Sequence, residues 1–409
     1  MNRSPEPTVA DRSGAFDATL ASPDSVSQPT STGGMRGTGR TTVLPRVEWT
    51  GEAAAFVSSS RPRFEAQGGL GEGGVGEVVA ALDQDIGREV AIKRLRPDNQ
   101  GASAMVRFLD EIRVVGSLEH PNIVPIHDVG VDENGALYFV MRRVQGQTLE
   151  TIIEKLAAGD PLAKAHWTFE RRVHVFRQLL EAVAFAHGRG IVHRDIKPSN
   201  VMVGHFGEVF LMDWGIAKPL DAADHPLPRL DASPKPQRVT ATHTGTVIGT
   251  PAYMSPEQAR GEKVDFRTDT YSLSVLLYEL LGLKHYLAEH VSDNTTLEQL
   301  IHAVQHVTAP FVGFTSNPHQ LPVPAELAWY VTKGLKKDPA ERFQTAAEMI
   351  ERLDKRDEGL FPVQCPVTFS KRTTRVVSRF VDRHPYLVST LLMLSVLGGI
   401  GYGVWRLVA

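Results

Sequence analysis

Ile191-Val192-His193-Arg194-Asp195-Ile196-Lys197-Pro198-Ser199-Asn200 brings an imidazole, a guanidinium, a carboxylate, an ammonium and an amide into ten residues. Upstream, Val173 to Ala186 carries apolar residues at helical spacing and runs into Gly188-Arg189-Gly190. A hydrophobic helix should therefore stop there and hand on to a polar loop. Rigid scaffolds commonly present their chemistry on such loops. The carboxylate can take a proton and the amide oxygen can hold a cation, but His-Arg-Asp alone is a short string. What surrounds it has to decide its meaning.

A chain of 409 residues exceeds one ordinary core, so two lobes or domains with flanking segments are expected. A net charge of -3 leaves no basic excess to release counterions from a nucleic acid, so a nucleic-acid partner is not expected. The single Cys365 excludes an intramolecular disulfide and suits a reducing compartment. The 15 histidines have no metal-ligand spacing, which argues against a zinc site.

Order is expected to begin near Phe64, because residues 1–63 are rich in Ser, Thr, Pro and Gly and poor in large apolar residues. They lack the pattern of a secretory signal and read as a disordered leader. Gly71, Gly73, Gly76 and Val78 then form G-x-G-x-x-G-x-V. Glycines let a backbone approach phosphates with its amides turned towards the anion. Dinucleotide-binding folds share these letters but continue directly into a helix. Here Val78 to Leu82, a turn at Asp85 to Arg88, and Glu89-Val90-Ala91-Ile92-Lys93 read as a β-hairpin. A helix follows over 102–118, with Met105, Phe108, Leu109, Ile112 and Val115 on its apolar face. Leu137 to Met141 reads as a buried strand. Val201 to Val203 and Val209 to Met212 form a second hairpin that ends at Asp213-Trp214-Gly215.

The glycine-rich hairpin, Val-Ala-Ile-Lys, His-Arg-Asp to Asn200 and Asp213-Trp214-Gly215, in that order, resemble the motifs of protein kinases. About 290 residues, 64–353, are similar to a bacterial, eukaryotic-like (Hanks-type) serine/threonine protein kinase. The resemblance implies an α+β, bilobal kinase fold with a small β-rich N-lobe and a larger helical C-lobe. It implies Asp195 as the base for the substrate hydroxyl and Lys197 beside it. Lys93 would reach the α/β-phosphates, with Glu111 as its ion-pair partner rather than the adjacent Asp110. Asn200 and Asp213 would hold Mg²⁺, with Mn²⁺ an alternative, and ATP would be the phosphoryl donor. Gly71, Gly73, Gly76, Val78, Ala91, Met141, Val144 and Met202 would surround the nucleotide, with Met141 as gatekeeper and Arg142 to Val144 as hinge. Arg142 stands where Glu is common, Trp214 where Phe is usual, Ser255 where Ala is usual and Ser274 where Gly is common.

Further correspondences are structural. Glu257 and Arg342 match a buried ion pair, Asp269 matches the residue that braces the catalytic loop, and His120 reads as structural. The activation segment, Asp213 to Glu257, contains a Pro-rich insertion at Asp221 to Gln237. Thr242, Thr244 and Thr246 stand where activating phosphates occur in bacterial members, and one of them could pair with Arg194. Thr250 would face Asp195 and Lys197.

Residues 354–385 read as a basic juxtamembrane linker with Lys371, Arg372, Arg375, Arg379 and Arg383. Residues 386–405 carry no charge and match the ~20 residues that cross a bilayer. Basic residues on their N-terminal side place the kinase part in the cytoplasm, single-pass in the inner membrane, with 406–409 as an outer stub. No external sensor domain is expected, so signals would arrive from inside. The expected partners are protein substrates bearing Ser or Thr, the membrane, and a second copy for trans-autophosphorylation. The rival reading is a membrane-tethered pseudokinase scaffold. It would normally lack Lys93, Asp195 or Asp213, and all three are present. A small-molecule phosphotransferase is disfavoured by the Thr-rich activation segment.

Overall fold

A computed structural model describes residues 41–42, 44, 46–50, 53–57, 61–72, 76–96, 101–215, 218–219, 250–292, 294–315 and 317–408. The leader expected to be disordered carries a hairpin, β1 (Arg46–Thr50) and β2 (Ala53–Val57), paired antiparallel. Alternation in Arg46-Val47-Glu48-Trp49-Thr50 is the period of a strand, and Gly51-Glu52 separates the two runs. The leader's average composition hides this local pattern.

The N-lobe is a five-stranded antiparallel sheet in the order β3-β4-β5-β7-β6. Its strands are β3 (Phe64–Glu72), β4 (Gly76–Asp83), β5 (Arg88–Leu95), β6 (Ile126–Val131) and β7 (Leu137–Arg142). Side chains alternate across the pleat. Phe64, Ala81, Val90, Ile92, Tyr138 and Val140 fill one face, while Leu95 and Phe139 meet Ala104 and Phe108 of α1 (Ala102–Ser117) on the other. The buried face of α1 is Ala104, Phe108, Glu111, Val114 and Val115, with Met105 exposed. That face is rotated from the one expected, and it turns Glu111 inward beneath the sheet.

The C-lobe follows strand β8 (Gly146–Thr148). It holds α2 (Leu149–Ala157), α3 (Pro161–His166), α4 (Phe169–His187), β9 (Ile191–Val192), β10 (Val201–Gly204), β11 (Val209–Leu211) and β12 (Lys218–Pro219). Helices α5 (Pro256–Ala259), α6 (Phe266–Gly282), α7 (Leu297–His306), α8 (Ala325–Gly334) and α9 (Ala346–Asp357) complete it. Its core packs Phe176, Leu179 and Val183 of α4 against Leu273, Leu276 and Leu277 of α6. Glu257 and Arg342 meet in that core as a bidentate pair, both N···O distances 2.8 Å. Arg342 also donates to the Lys336 and Lys337 carbonyls, which satisfies a guanidinium removed from water.

The stretch expected as a linker is largely helical, α10 (Pro366–Arg383). Its basic residues hold it to the lobe: Lys371 donates to Glu326, and Arg375 to the Arg356 and Asp357 carbonyls. A helix, α11 (Pro385–Val408), covers the expected membrane segment. Among the described residues, no helix is long and apolar enough to cross a membrane. The helix is present; the span expected from the sequence is not established by the fold.

Candidate active site

The loop from His193 to Asn200 is held from below by α6. Asp269, in the first turn of that helix and fully buried, accepts from the His193 N–H at 2.8 Å and the Arg194 N–H at 2.9 Å. It also accepts from His187 Nε2 at 2.8 Å. Burial works against its charge, but the bond from His187 outweighs it, and the Asp269 carboxyl stays below the usual aspartate range. These bonds hold Arg194 in the left-handed region, φ 69°, which a non-glycine residue adopts only where its surroundings impose it. Gln258 closes the other side by donating to the Arg194 carbonyl at 3.0 Å.

His193 is fully buried and its bonds define its tautomer. Nδ1 accepts from the Asp195 N–H, so Nε2 carries the proton and donates to the Met212 carbonyl, both at 3.2 Å. Burial pushes its pKa down and keeps the ring neutral. Met212 also donates its N–H to the Asn200 carbonyl at 2.8 Å. The residue before Asp213 is therefore bonded to both ends of the Asp195 loop. The Trp214 ring lies 4.5 Å from that of His193, and its indole N–H donates to the Leu211 carbonyl at 3.3 Å. Trp in place of Phe thus adds a bond as well as apolar bulk.

Within the loop, the Asp195 side chain is oriented by two donors. Lys197 Nζ lies 2.8 Å and Asn200 Nδ2 3.1 Å from the same oxygen, Oδ2. Asn200 Nδ2 also donates to the Asp195 carbonyl at 2.9 Å. Among the described residues nothing donates to Oδ1, which can accept a proton, or to the Asn200 amide oxygen, which can ligate.

The N-lobe contributes Lys93 from β5. Its Nζ lies 2.6 Å from Glu111 Oε1 and 3.2 Å from Asp213 Oδ1. Burial alone would push Lys93 down, but Asp213 and Glu111 outweigh it and its pKa is raised. Burial raises Glu111 despite Lys93, whereas for Asp213 the Lys93 charge outweighs burial and lowers it. The neighbouring Asp110 is exposed and pairs with Arg113, so rotation of the helix face selects Glu111. Asp213 has φ 61°, a second left-handed non-glycine residue.

The sheet register sets Val78 opposite Lys93, Ala91 opposite Met141, and Val90 opposite Arg142. Gly71 has nothing within 4 Å of where a Cβ would stand, while at Gly76 that atom would be 2.5 Å from the Arg94 carbonyl oxygen. Gly76 is therefore required by strand packing, whatever binds above it. Arg142 rests over the Phe210 ring at 4.9 Å and pairs with Glu208, tying the end of β7 to the β10–β11 hairpin. Val144 and Met202 are half-buried. His120 is structural in its contacts: Nδ1 accepts from the Asn122 N–H and its ring packs on Phe185. Gly73, the side chain of Thr250, the insertion over 221–237, and Thr242, Thr244 and Thr246 lie outside the described residues.

Two oxygen donors, the Asp213 carboxylate and the Asn200 amide, suit a hard cation that takes its remaining ligands from phosphates. Among the described residues no group of three or more His, Cys, Asp or Glu forms a protein-only metal cage. Gln258 was not legible as a site residue, because its role depends on where α5 meets the loop. The only sequence signal is its place three residues after Ser255, where it completes a capping box.

A basic residue paired to a helix in one lobe thus faces a braced acid and amide in the other. The family described as "Protein kinase domain" matches residues 64–352, and the chain belongs to that family. It is 36% identical over 303 residues to the serine/threonine-protein kinase PknD of Protochlamydia amoebophila, covering 71% of this chain and 29% of that protein. It is 37% identical over 327 residues to the serine/threonine-protein kinase PknB of Mycolicibacterium smegmatis, covering 78% and 47%. A probable serine/threonine-protein kinase of Streptomyces coelicolor is 39% identical over 291 residues, covering 70% and 39%. The match thus spans less than half the length of each of these relatives.

Proposed function

We propose that this chain is an active serine/threonine protein kinase that transfers the γ-phosphoryl of ATP to a protein hydroxyl. The observation that carries this reading is the Asp195 carboxylate, oriented by Lys197 and Asn200 on Oδ2 and with no donor on Oδ1 among the described residues. Asp195 accepts the proton of the attacking hydroxyl, which is general-base work. Lys197, beside it, stabilises charge on the transferring group, and Lys93, oriented by Glu111, binds the α/β-phosphates. Asp213 and Asn200 would hold a divalent ion, Mg²⁺ in our reading, which when bound neutralises phosphate charge. Gly71, Gly73 and Gly76 let the lid backbone close over the phosphates. Val78, Ala91, Met141, Val144 and Met202 take the adenine, and Thr242, Thr244 and Thr246 are candidate autophosphorylation sites for a second copy acting in trans.

Autophosphorylation with Mg-ATP and phosphosite mapping tests this. Phosphate on those threonines that vanishes in both Asp195→Asn and Lys93→Ala is expected; nucleotide binding without transfer would favour the scaffold reading.

Anchoring in a membrane, with the kinase part cytoplasmic, is part of the proposal. Its support is that α11 is apolar all round, with Leu387, Leu391, Leu394, Leu397 and Ile400 each more than half exposed. The sequence carries no charge from 386 to 405, and the basic residues of α10 precede it. The full chain should float with vesicles and truncation after Lys371 should release active protein; a full chain that stays in the soluble fraction would refute the anchor.

A further inference from the structure

Helix α10 turns its polar face inward. Lys371 donates to Glu326 at 2.9 Å, Arg372 to the Phe361 carbonyl at 3.4 Å, and Arg375 to the Arg356 and Asp357 carbonyls. Thr368, on the same side, is fully buried and exchanges hydrogen bonds with the Cys365 backbone. The stem of Arg375 lies against Gly359, where an added Cβ would stand 2.9 Å from Arg375 Cδ. At 3.6 residues per turn, Phe369, Val376, Val377, Phe380 and Val381 fall on the opposite face. Phe369, Val376, Val377 and Phe380 are each 50–60% exposed. A surface helix of a globular lobe ordinarily buries its apolar stripe against the core. Here the lobe takes the polar face and leaves the stripe for something else.

Continuity and charge say what covers it. Only His384 separates α10 from α11, whose Leu387, Leu391 and Leu394 are more than half exposed. The stripe therefore leads straight into the apolar surface of the proposed anchor. The helix carries Lys371, Arg372, Arg375, Arg379 and Arg383 against the single acid Asp382. Arg379 and Arg383 are exposed at the end next to α11. With basic residues towards both ends, two copies packed stripe to stripe would set like charges against each other in either direction, which disfavours a second copy as the cover. An apolar stripe accompanied by basic residues suits a helix lying in an anionic bilayer surface.

We propose that α10 lies in the plane of an anionic membrane surface. Its stripe sits at the boundary between headgroups and acyl chains, and Arg379 and Arg383 extend their stems sideways to reach the lipid phosphates. This rests on the membrane anchor proposed above and adds how the kinase part is held there. Lys371 bonds α10 to α8, and Arg375 bonds it to the end of α9. The C-lobe thus rides on the membrane through a docked helix rather than a free tether.

The test reconstitutes the full chain in vesicles of phosphatidylcholine with phosphatidylglycerol. On a Cys365→Ser background, which removes the one native thiol, a polarity-sensitive fluorophore is attached through Phe380→Cys, Asp382→Cys or Leu394→Cys. Nitroxide lipids should quench the label at Phe380 from a depth of about 5–10 Å, and quench that at Asp382 ~3-fold less. Leu394 reports the anchor. Equal quenching at Phe380 and Asp382, or none at Phe380 while Leu394 is quenched, overturns the in-plane helix and leaves the anchor standing. No quenching at Leu394 refutes the anchor and the proposal with it. Shielding at Phe380 that lipid quenchers do not reach, and that disappears when copies are diluted among vesicles, means a second copy covers the stripe and overturns the proposal. In phosphatidylcholine alone the quenching at Phe380 should fall about 2-fold, and an equal value overturns the anionic surface. A thermal melt shows that each labelled chain has folded; Val376→Cys and Val377→Cys, on the same stripe, replace Phe380→Cys if it has not.

Discussion

Asp195 and Asp213 are both carboxylates of the cleft, yet they are held in different ways. Asp195 is 8% exposed, and its loop is bonded to α6, to α5 and to the Met212 backbone, all within the C-lobe. The Asp213 side chain is 49% exposed, and its side-chain partner is Lys93, from the other lobe. Lys93 in turn depends on where α1 places Glu111. The first half of the site is preorganised by one packed lobe. The second is assembled only when a helix of the small lobe sits in one position, which makes α1 the natural control point.

The difference can be broken at its strongest point first. Asp195→Asn should lower kcat by about 10²–10⁴-fold with melting temperature and nucleotide affinity near wild type, because a proton acceptor is lost and the brace is not. Steady-state transfer and a thermal melt read this together. Asp269→Ala should behave oppositely, destabilising the chain by roughly 3 kcal/mol as His193, Arg194 and His187 lose a buried acceptor, with activity falling in step. Urea unfolding measures it, and unchanged stability would show that the loop does not depend on α6.

On the open side, Glu111→Gln should leave stability within ~1 kcal/mol while kcat/KM for ATP falls about 10–100-fold, the worth of a charged hydrogen bond. A fall in stability as large as that of Asp269→Ala would erase the contrast between the two halves. The smallest effect concerns pH. Burial raises Glu279 from its ordinary 4.5 to about 7, so the folded state holds this proton more tightly than the unfolded state. Its stabilising contribution is complete below 4.5 and is lost as pH rises towards 7. Glu279→Gln should flatten the melting temperature across that window, and an unchanged slope would show that another group sets it.

Motifs whose chemistry is local were legible. Glycines before a hairpin, Lys93 in Val-Ala-Ile-Lys, His-Arg-Asp to Asn200 and Asp213-Trp214-Gly215 each lie on one element, where neighbours in sequence are neighbours in space. Elements obscured by their surroundings were not. The β1–β2 hairpin sits within a polar leader, and the basic run of α10 read as a linker although its charges dock on Glu326 and backbone carbonyls.

Sequence alone determined the two-lobed kinase architecture and proposed Lys93, Asp195, Asn200 and Asp213 for its site, because periodicity and motif order are written along the chain. Tertiary structure decided which oxygen of Asp195 takes both donors, which face of α1 turns inward, that Gln258 closes the loop, and that Glu150, Glu154 and Glu279 share a cavity. These are relations between residues far apart in sequence. Packing settles them, since only the folded core sets the distances over which charges and hydrogen bonds act.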